Sequence, residues 1–426
     1  MKKVLFILLS AVLLFSTFSC AQTQEYGAEA KSDKAYDSSP TVSDSVLAEL
    51  VKGNNEFAFD LYRQLAATKE GNFFYSPYSI SLALAMTYAG ANGQTEEQMA
   101  ETLKFLLENE ELHKAFNKLS IELNSRNEVP ENSEAQGFEL NIVNATWGQR
   151  GFEFMQAFLD VLAENYDAGI RLLDYEKEPE ACRKVINDWV YEQTNGKIED
   201  LIPEGAISEM TRLVLTNAIY FNAAWLHQFN EDYTYNDTFY LPDGTTVSVP
   251  MMHQTDKFSY INGDDYTAIE LLYDIHNMSM VIIMPDEGTF TDFENSLTAE
   301  VIDGILHSMN YGQVNLSMPK FEFESDFSLK AALKAMGMTD AFSDFADFSG
   351  ITDKTDLIIS DIIHKAFVSV DEEGTEAAAA TAVIFIATSL PIEIREGNIN
   401  HSFIFLIRDI TTGSTLFIGR VINPAV

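Results

Sequence analysis

Between residue 46 and the C-terminus, this 426-residue chain offers no place to divide it. No stretch rich in Pro, Gly or Ser interrupts it, no repeat recurs, and the one low-complexity tract is a short alanine run at 377–380. A prior of about 150 residues per domain would give two or three units. Nothing in the sequence separates them, so 46–426 is read as one domain. Hydrophobic residues make up 46% of the chain and include 30 Phe and 17 Tyr, which is ample for one large core and excludes disorder over most of the length.

The patterns inside that unit are mixed. Apolar residues recur at helical spacing over 46–65, over 79–89 after a Ser-Pro start signal, and over 180–195 up to Gly196. A further helix is expected over 95–107, where Thr95 followed by Glu96, Glu97 and Gln98 reads as a capping-box start. Strands are expected at 212–221, 278–284, 403–407 and 416–418, the last two joined by a turn at 409–414. These strands are almost continuously apolar, so both faces of their sheets must be covered. The fold class is α+β, with large sheets and several packed helices.

Residues 1–20 read as a processed leader. Lys2 and Lys3 precede an apolar stretch at 4–18, too short for a membrane span, and Ser19 precedes Cys20. That ending resembles a bacterial lipobox with Thr17 where Leu is usual; lipid attachment at Cys20 and ordinary cleavage beside it both remain open. Either route leaves Cys182 without an intramolecular partner. Residues 21–45, rich in Ser, Glu, Lys and Ala, read as a flexible tether. The expectation is an exported protein, an outer-membrane lipoprotein or an extracellular one, touching membrane only through an N-terminal lipid.

Sixty-five Asp and Glu stand against 27 Lys and Arg, a net charge of −38. So acidic a surface repels nucleic acid and heparin-type polyanions. G-x-S-x-G, P-loop, G-x-G-x-x-G and H-E-x-x-H patterns are all missing, and the seven histidines show no i, i+3 or i, i+4 pairing. No catalytic residue, metal site or cofactor is indicated.

One segment has two conflicting readings: Asp371-Glu372-Glu373-Gly374-Thr375-Glu376-Ala377-Ala378-Ala379-Ala380-Thr381-Ala382. Its alanines favour a helix. Its neighbours, 365–370 before and 383–386 after, favour strand. Small residues throughout also suit a segment that slides into a crowded sheet, where bulky or charged inward side chains would clash or lie unpaired. At period two, Thr375, Ala377, Ala379 and Thr381 share one face and Glu376 points to the other. Gly374 supplies a hinge.

At this point the sequence resembles the serpin family. The resemblance rests on Asn72 through Ser76-Pro77-Tyr78-Ser79 to Thr95, on Ile186-Asn187-Asp188-Trp189 with Asn195-Gly196-Lys197, and on Leu215-Thr216-Asn217-Ala218 followed by Trp225. Met318-Pro319-Lys320-Phe321, Ile363-His364-Lys365 and Phe417-Ile418-Gly419-Arg420 complete the set, in the family's order. It implies three β-sheets, eight or nine helices and an exposed reactive-centre loop. It implies a monomeric suicide substrate for serine proteases, with papain-like cysteine proteases as further targets. The family's shutter falls on Ser76, Ser79, Asn217 and His364, and its breach on Trp225 and Lys320, the latter pairing with Glu372. The hinge runs from Glu372 and Gly374 through Thr375, Glu376, Ala377, Ala378, Ala379, Ala380 and Thr381. Counting along the family's hinge places the bait bond at Thr388–Ser389, with a slip of one to three residues open and Ala387 and Phe385 as alternatives. No Lys or Arg lies nearby, which points to elastase-like or subtilisin-like targets. The helix expected at 95–107 carries Glu96, Glu97 and Glu101 with a lone Lys104, against polyanion activation. Two rivals remain: a non-inhibitory serpin acting as a carrier or binding protein, and a lipid-anchored adhesin.

Overall fold

The computed structural model describes residues 28–127, 138–274, 277–353, 357–375 and 394–426. In chain order the elements begin with β1 (Ala28–Ala30), α1 (Asp44–Ala66), β2 (Phe73–Tyr75), α2 (Pro77–Tyr88), α3 (Gly93–Leu103), α4 (Asn109–Asn124) and β3 (Phe138–Gln149). There follow α5 (Gln156–Tyr166), β4 (Ile170–Leu173), α6 (Pro179–Gln193), β5 (Leu213–Ala224), β6 (Tyr235–Tyr240), β7 (Thr246–Asn262), β8 (Tyr266–Leu272) and β9 (Met278–Pro285). The chain then forms α7 (Phe290–Ser296), α8 (Ala299–Ser308), β10 (Asn310–Pro319), β11 (Phe321–Ser328) and α9 (Lys330–Ala335). It closes with β12 (Ile362–Val370), β13 (Gly374–Thr375), β14 (Arg395–Asn398), β15 (Phe403–Asp409) and β16 (Thr415–Val421).

The main sheet has the order β1-β4-β3-β5-β13-β12-β11. The rest of the β-structure is a nine-stranded sheet, β14-β10-β7-β8-β9-β15-β16-β2, with β6 attached to β7. The expected second and third sheets run into one another here, because the 17-residue β7 belongs to both. Its first half pairs with β6 and its last residues pair with β8, while β10 follows it along the other side.

Burial follows the apolar runs. All eight residues of β9 are buried, as are eleven of twelve in β5. One face of β5 looks into the main core. The other is covered by α6 and the loop after it, where Trp189, Ile186, Ile198 and Ile202 pack on Val143, Trp147, Val214 and Ala218. Cys182 is buried in that layer with its thiol free, and burial pushes its pKa up. At the N-terminus of α2, the Ser76 hydroxyl accepts from the Ser79 N–H and Pro77 sits at the first helical position.

Two expectations fail locally. The third helix starts at Gly93, not Thr95: the Asn92 carbonyl takes the first helical N–H, from Glu96, and the buried Thr95 hydroxyl instead accepts from the Asp347 N–H. It ends at Leu103, short of 107, because Lys104 turns left-handed at φ 57°. The Lys104 carbonyl then lies where a side chain on Gly53 would stand, 2.2 Å from the missing Cβ, so α1 tolerates only glycine there. The second correction concerns the stretch read as a tether. From residue 28 it is docked, with Ala28–Ala30 paired antiparallel to β4 at the edge of the main sheet.

Candidate functional site

The main sheet contains a seam. β5 and β12 run parallel and pair from Ile362↔Leu215 to Ala366↔Ile219. Beyond that point they part, and Gly374 and Thr375 stand between them as β13, antiparallel to both: Val370↔Thr375 on one side, Gly374↔Ala224 and Thr375↔Ala223 on the other. Among the described residues, 220–222 of β5 and 367–369 of β12 pair with no strand across the gap.

Beneath the paired part of the seam lies a polar cluster. Asn217 and His364 face each other across it, and Asn144 on β3 is Asn217's partner on the opposite side. These three residues make one row across three strands, and α2 supplies Ser76 and Ser79 from below. The Ser76 N–H donates to His364 Nε2 at 3.2 Å. A backbone N–H can only donate, so Nε2 carries the lone pair and Nδ1–H donates to Asn217 Oδ1. Asn217 Nδ2 donates to Ser79 Oγ (2.7 Å) and Asn144 Oδ1 (2.6 Å), and Asn144 Nδ2 returns to the Ser79 carbonyl (3.1 Å). Ser76 Oγ donates to the Leu416 carbonyl at 2.6 Å. Ser76, Ser79, Asn217 and His364 are wholly buried, and burial lowers the imidazole pKa to about 3. The ring is neutral, as its hydrogen bonds require. The four residues singled out in the sequence thus come together, and Asn144 joins them. Its only sequence signal was a polar residue in an apolar strand, which nothing in the chain paired with Asn217.

Above the gap, the chain that leads to β13 is held on every side. Trp225 Nε1 donates to the Asp371 carbonyl at 3.0 Å, the Trp225 N–H to Glu373, and the Phe229 N–H to Glu372, both at 2.9 Å. The Asp371 carboxylate accepts from the N–H groups of Glu373 (2.9 Å) and Gly374 (3.2 Å), closing a tight turn. Lys320 Nζ reaches Glu372 Oε2 at 2.5 Å. Burial is the largest single influence on Glu372 and opposes its ionisation, yet the hydrogen bond and charge of Lys320 together with further hydrogen bonds to the carboxylate outweigh it, and the carboxyl pKa is lowered. Thr375, 1% exposed, shares a hydrogen bond with the Tyr273 hydroxyl at 2.9 Å. The Tyr273 ring stacks on Trp225 at 4.8 Å and meets Phe221 edge-on. Trp225, Lys320, Glu372, Gly374 and Thr375 are therefore one assembly. Tyr273 was missed, since a lone Tyr at a strand end carries no signal of its own.

The remaining hinge residues, Glu376, Ala377, Ala378, Ala379, Ala380 and Thr381, lie outside the described residues. So do Phe385, Ala387, Thr388 and Ser389 of the bait region, and Cys20. Among the described residues no cluster of His, Cys, Asp and Glu could hold a metal ion, and no helix is long and apolar enough to cross a membrane.

Known proteins of one family are similar to this chain over most of its length. Residues 52–424 match the family model described as "Serpin (serine protease inhibitor)". An uncharacterized serpin-like protein of Thermococcus kodakarensis is 42% identical over 92% of this chain and 90% of its own. The leukocyte elastase inhibitor of Xenopus laevis is 38% identical, over 86% and 97%. Among solved structures, human thyroxine-binding globulin complexed with its hormone is similar at a TM-score of 0.79 and 31% identity, over 89% of this chain and 99% of that one. The chain belongs to the serpin family, whose members are generally protease inhibitors and not enzymes.

Proposed function

We propose that this serpin is a suicide-substrate inhibitor of serine proteases. The observation that carries the reading is β13: the chain ahead of the alanine run already stands between β5 and β12, aimed into the gap. A protease that attacks the bait bond, Thr388–Ser389, joins its serine oxygen to the Thr388 carbonyl and frees the amine of Ser389. The cut releases the run Glu376–Thr381 to extend β13 between the parting strands. The attached protease is carried along, and its catalytic groups are distorted before water can hydrolyse the ester. The native fold is then a kinetic trap, and insertion supplies the work.

Small residues at 377–380 fit the reading, since each inward position must pass into a packed layer. The missing Lys and Arg near the bond, and the likeness to an elastase inhibitor, favour elastase-like or subtilisin-like targets; papain-like cysteine proteases also form acyl-enzymes. Lys104, just past the end of α3, is paired with Asp60 at 2.9 Å, against a polyanion activator. The protein acts as a monomer, exported and held at the outer membrane by a lipid on Cys20 or released outside the cell.

A carrier function is the second reading, favoured by the likeness to thyroxine-binding globulin. Against it stands the alanine run.

Incubation with a panel of serine proteases separates the readings. An SDS-resistant covalent complex is expected with elastase or subtilisin, and mass spectrometry of the released peptide should begin at Ser389 or within three residues of it. Simple cleavage by every protease would overturn the inhibitor reading, and a cut at Arg395 would overturn the bond placement.

A further inference from the structure

The segment that docks where a tether was expected spans two parts of the molecule that insertion would separate. On one side, Ala28–Ala30 pair with β4, in register Ala28↔Leu172 to Ala30↔Ile170. Gly169 makes room for this: a Cβ there would lie 2.8 Å from the Ala30 carbonyl and 2.9 Å from the Glu29 side chain. Past the strand, Lys31 Nζ meets Asp167 Oδ1 at 2.8 Å, Ser32 Oγ donates to Asp160 Oδ1 at 2.5 Å, and Lys34 Nζ meets Glu164 Oε2 at 2.9 Å. All these partners belong to α5 or the short turn after it. Because α5 lies in the chain between β3 and β4, it must travel with them. On the other side, Ser43 caps α1, whose Phe57, Leu61 and Leu65 are buried in the main core. Asp37 stands at the crossing. Its N–H donates to the Glu164 carbonyl at 2.9 Å on α5, and its own carbonyl accepts from the buried Asn117 Nδ2 at 2.8 Å on α4.

Opening the seam between β5 and β12 carries β5, β3, β4 and α5 one way and leaves β12, β11 and the core under α1 behind. We infer that residues 28–43 are a strap across this division, which slows the opening of the main sheet and so sets how long the native state persists. The inference rests on the insertion reading above. The hydrogen bonds and ion pairs described for the strap run to β4, α4, α5 and the turn after α5; it acts by tying the moving edge to the stationary body. The Lys31 and Lys34 ion pairs are exposed and worth little singly, so the strap's hold comes from the strand pairing, the Ser32 and Asp37 hydrogen bonds and the pairs acting together.

The test uses the full chain and two independent lesions. Gly169→Val drives a side chain into the Ala30 carbonyl. The double variant Lys31→Glu, Lys34→Glu sets like charges against Asp167, Asp160 and Glu164. The uncut proteins are held at a temperature just below unfolding, and the loss of protease-trapping capacity is followed together with the appearance of a form as heat-resistant as cleaved protein. Both variants should convert several-fold faster than the parent, while their cleaved forms, with the sheet already opened, should unfold within a few degrees of cleaved parent. If the cleaved parent is no more heat-resistant than the uncut one, the insertion reading falls and the strap with it. If cleavage does stabilise the parent but both variants convert at the parental rate, the strap alone is refuted.

Discussion

A methyl group on Gly374 would sit 2.2 Å from the Ala223 carbonyl and 2.7 Å from the Ala224 Cα. Both are backbone atoms of β5 and cannot swing aside. Gly374→Ala should therefore push β13 out of the gap. We expect the variant to fold, to be cut normally, and to need several inhibitor molecules per trapped protease, as measured by titration of residual protease activity. Equal stoichiometry to the parent would mean that the seating of β13 is irrelevant to trapping. Thr375 makes the complementary demand, since its hydroxyl satisfies Tyr273 inside a sealed pocket. Thr375→Arg strands a cation there at a cost on the order of several kcal/mol. Insertion should then fall behind deacylation, and the protein should become a substrate, cleaved without a covalent complex on an SDS gel.

At the scale of elements, the β5–β12 seam is held by five residue pairs and one polar row. The row makes the seam sensitive to acid. The His364 pKa is about 3 in the folded protein and about 6.5 in an unfolded chain. Between those values the unfolded chain binds a proton that the native one refuses, so stability falls as the pH drops below 6.5. At pH 5 the loss from this residue is about 2 kcal/mol. His113, lowered to about 4 by burial between α4 and α5, adds to it in the same direction. The unfolding temperature should fall between pH 7 and pH 5, and the fall should be shallower in His364→Asn. An identical slope in the two proteins would show that His364 is not buried as a neutral ring. The elements themselves were largely legible beforehand. β5, β9, β15 and β16 announce themselves as apolar runs, and α1, α2 and α6 by helical spacing and start signals. Asn144 was not legible, because its meaning depends on a partner 73 residues away, and periodicity reports faces without reporting neighbours. Thr95 misled for a related reason, as its hydroxyl serves a loop 252 residues on.

For the molecule as a whole, the reading requires a native state above its free-energy minimum. Cutting the bait region with a protease that is not trapped should raise the thermal midpoint by on the order of 10 °C or more, which corresponds to several kcal/mol. Calorimetry of intact and cleaved protein measures this, and coincident transitions would leave the carrier reading standing. The family's motifs made the global fold readable because six of them occur along the chain in the family's order. The docking of residues 28–43 was hidden, since Ser, Lys, Glu and Ala in sequence look alike whether they hang free or lie along a sheet edge. The fusion of two expected sheets through β7 was hidden as well, because strand length alone does not reveal which neighbours a strand will have.

The parallel pairing of β5 with β12 has a mechanical consequence. β12 and β13 are the two arms of a hairpin, so on the proposed insertion the residues after Thr375 first fill the unpaired gap, and those behind them exchange the slanted parallel contacts of β5 with β12 for antiparallel contacts on both flanks, the more stable kind per residue. On that proposal the seam would behave like a zip fastener that locks as it travels: every tooth engaged would make the reverse stroke harder. While the chain is whole, the slider is held from the far end, because the polypeptide must come back to β14, which is itself paired to β10. On the proposed mechanism, cutting the bait bond removes that stop, and strand polarity alone then fixes the direction of travel.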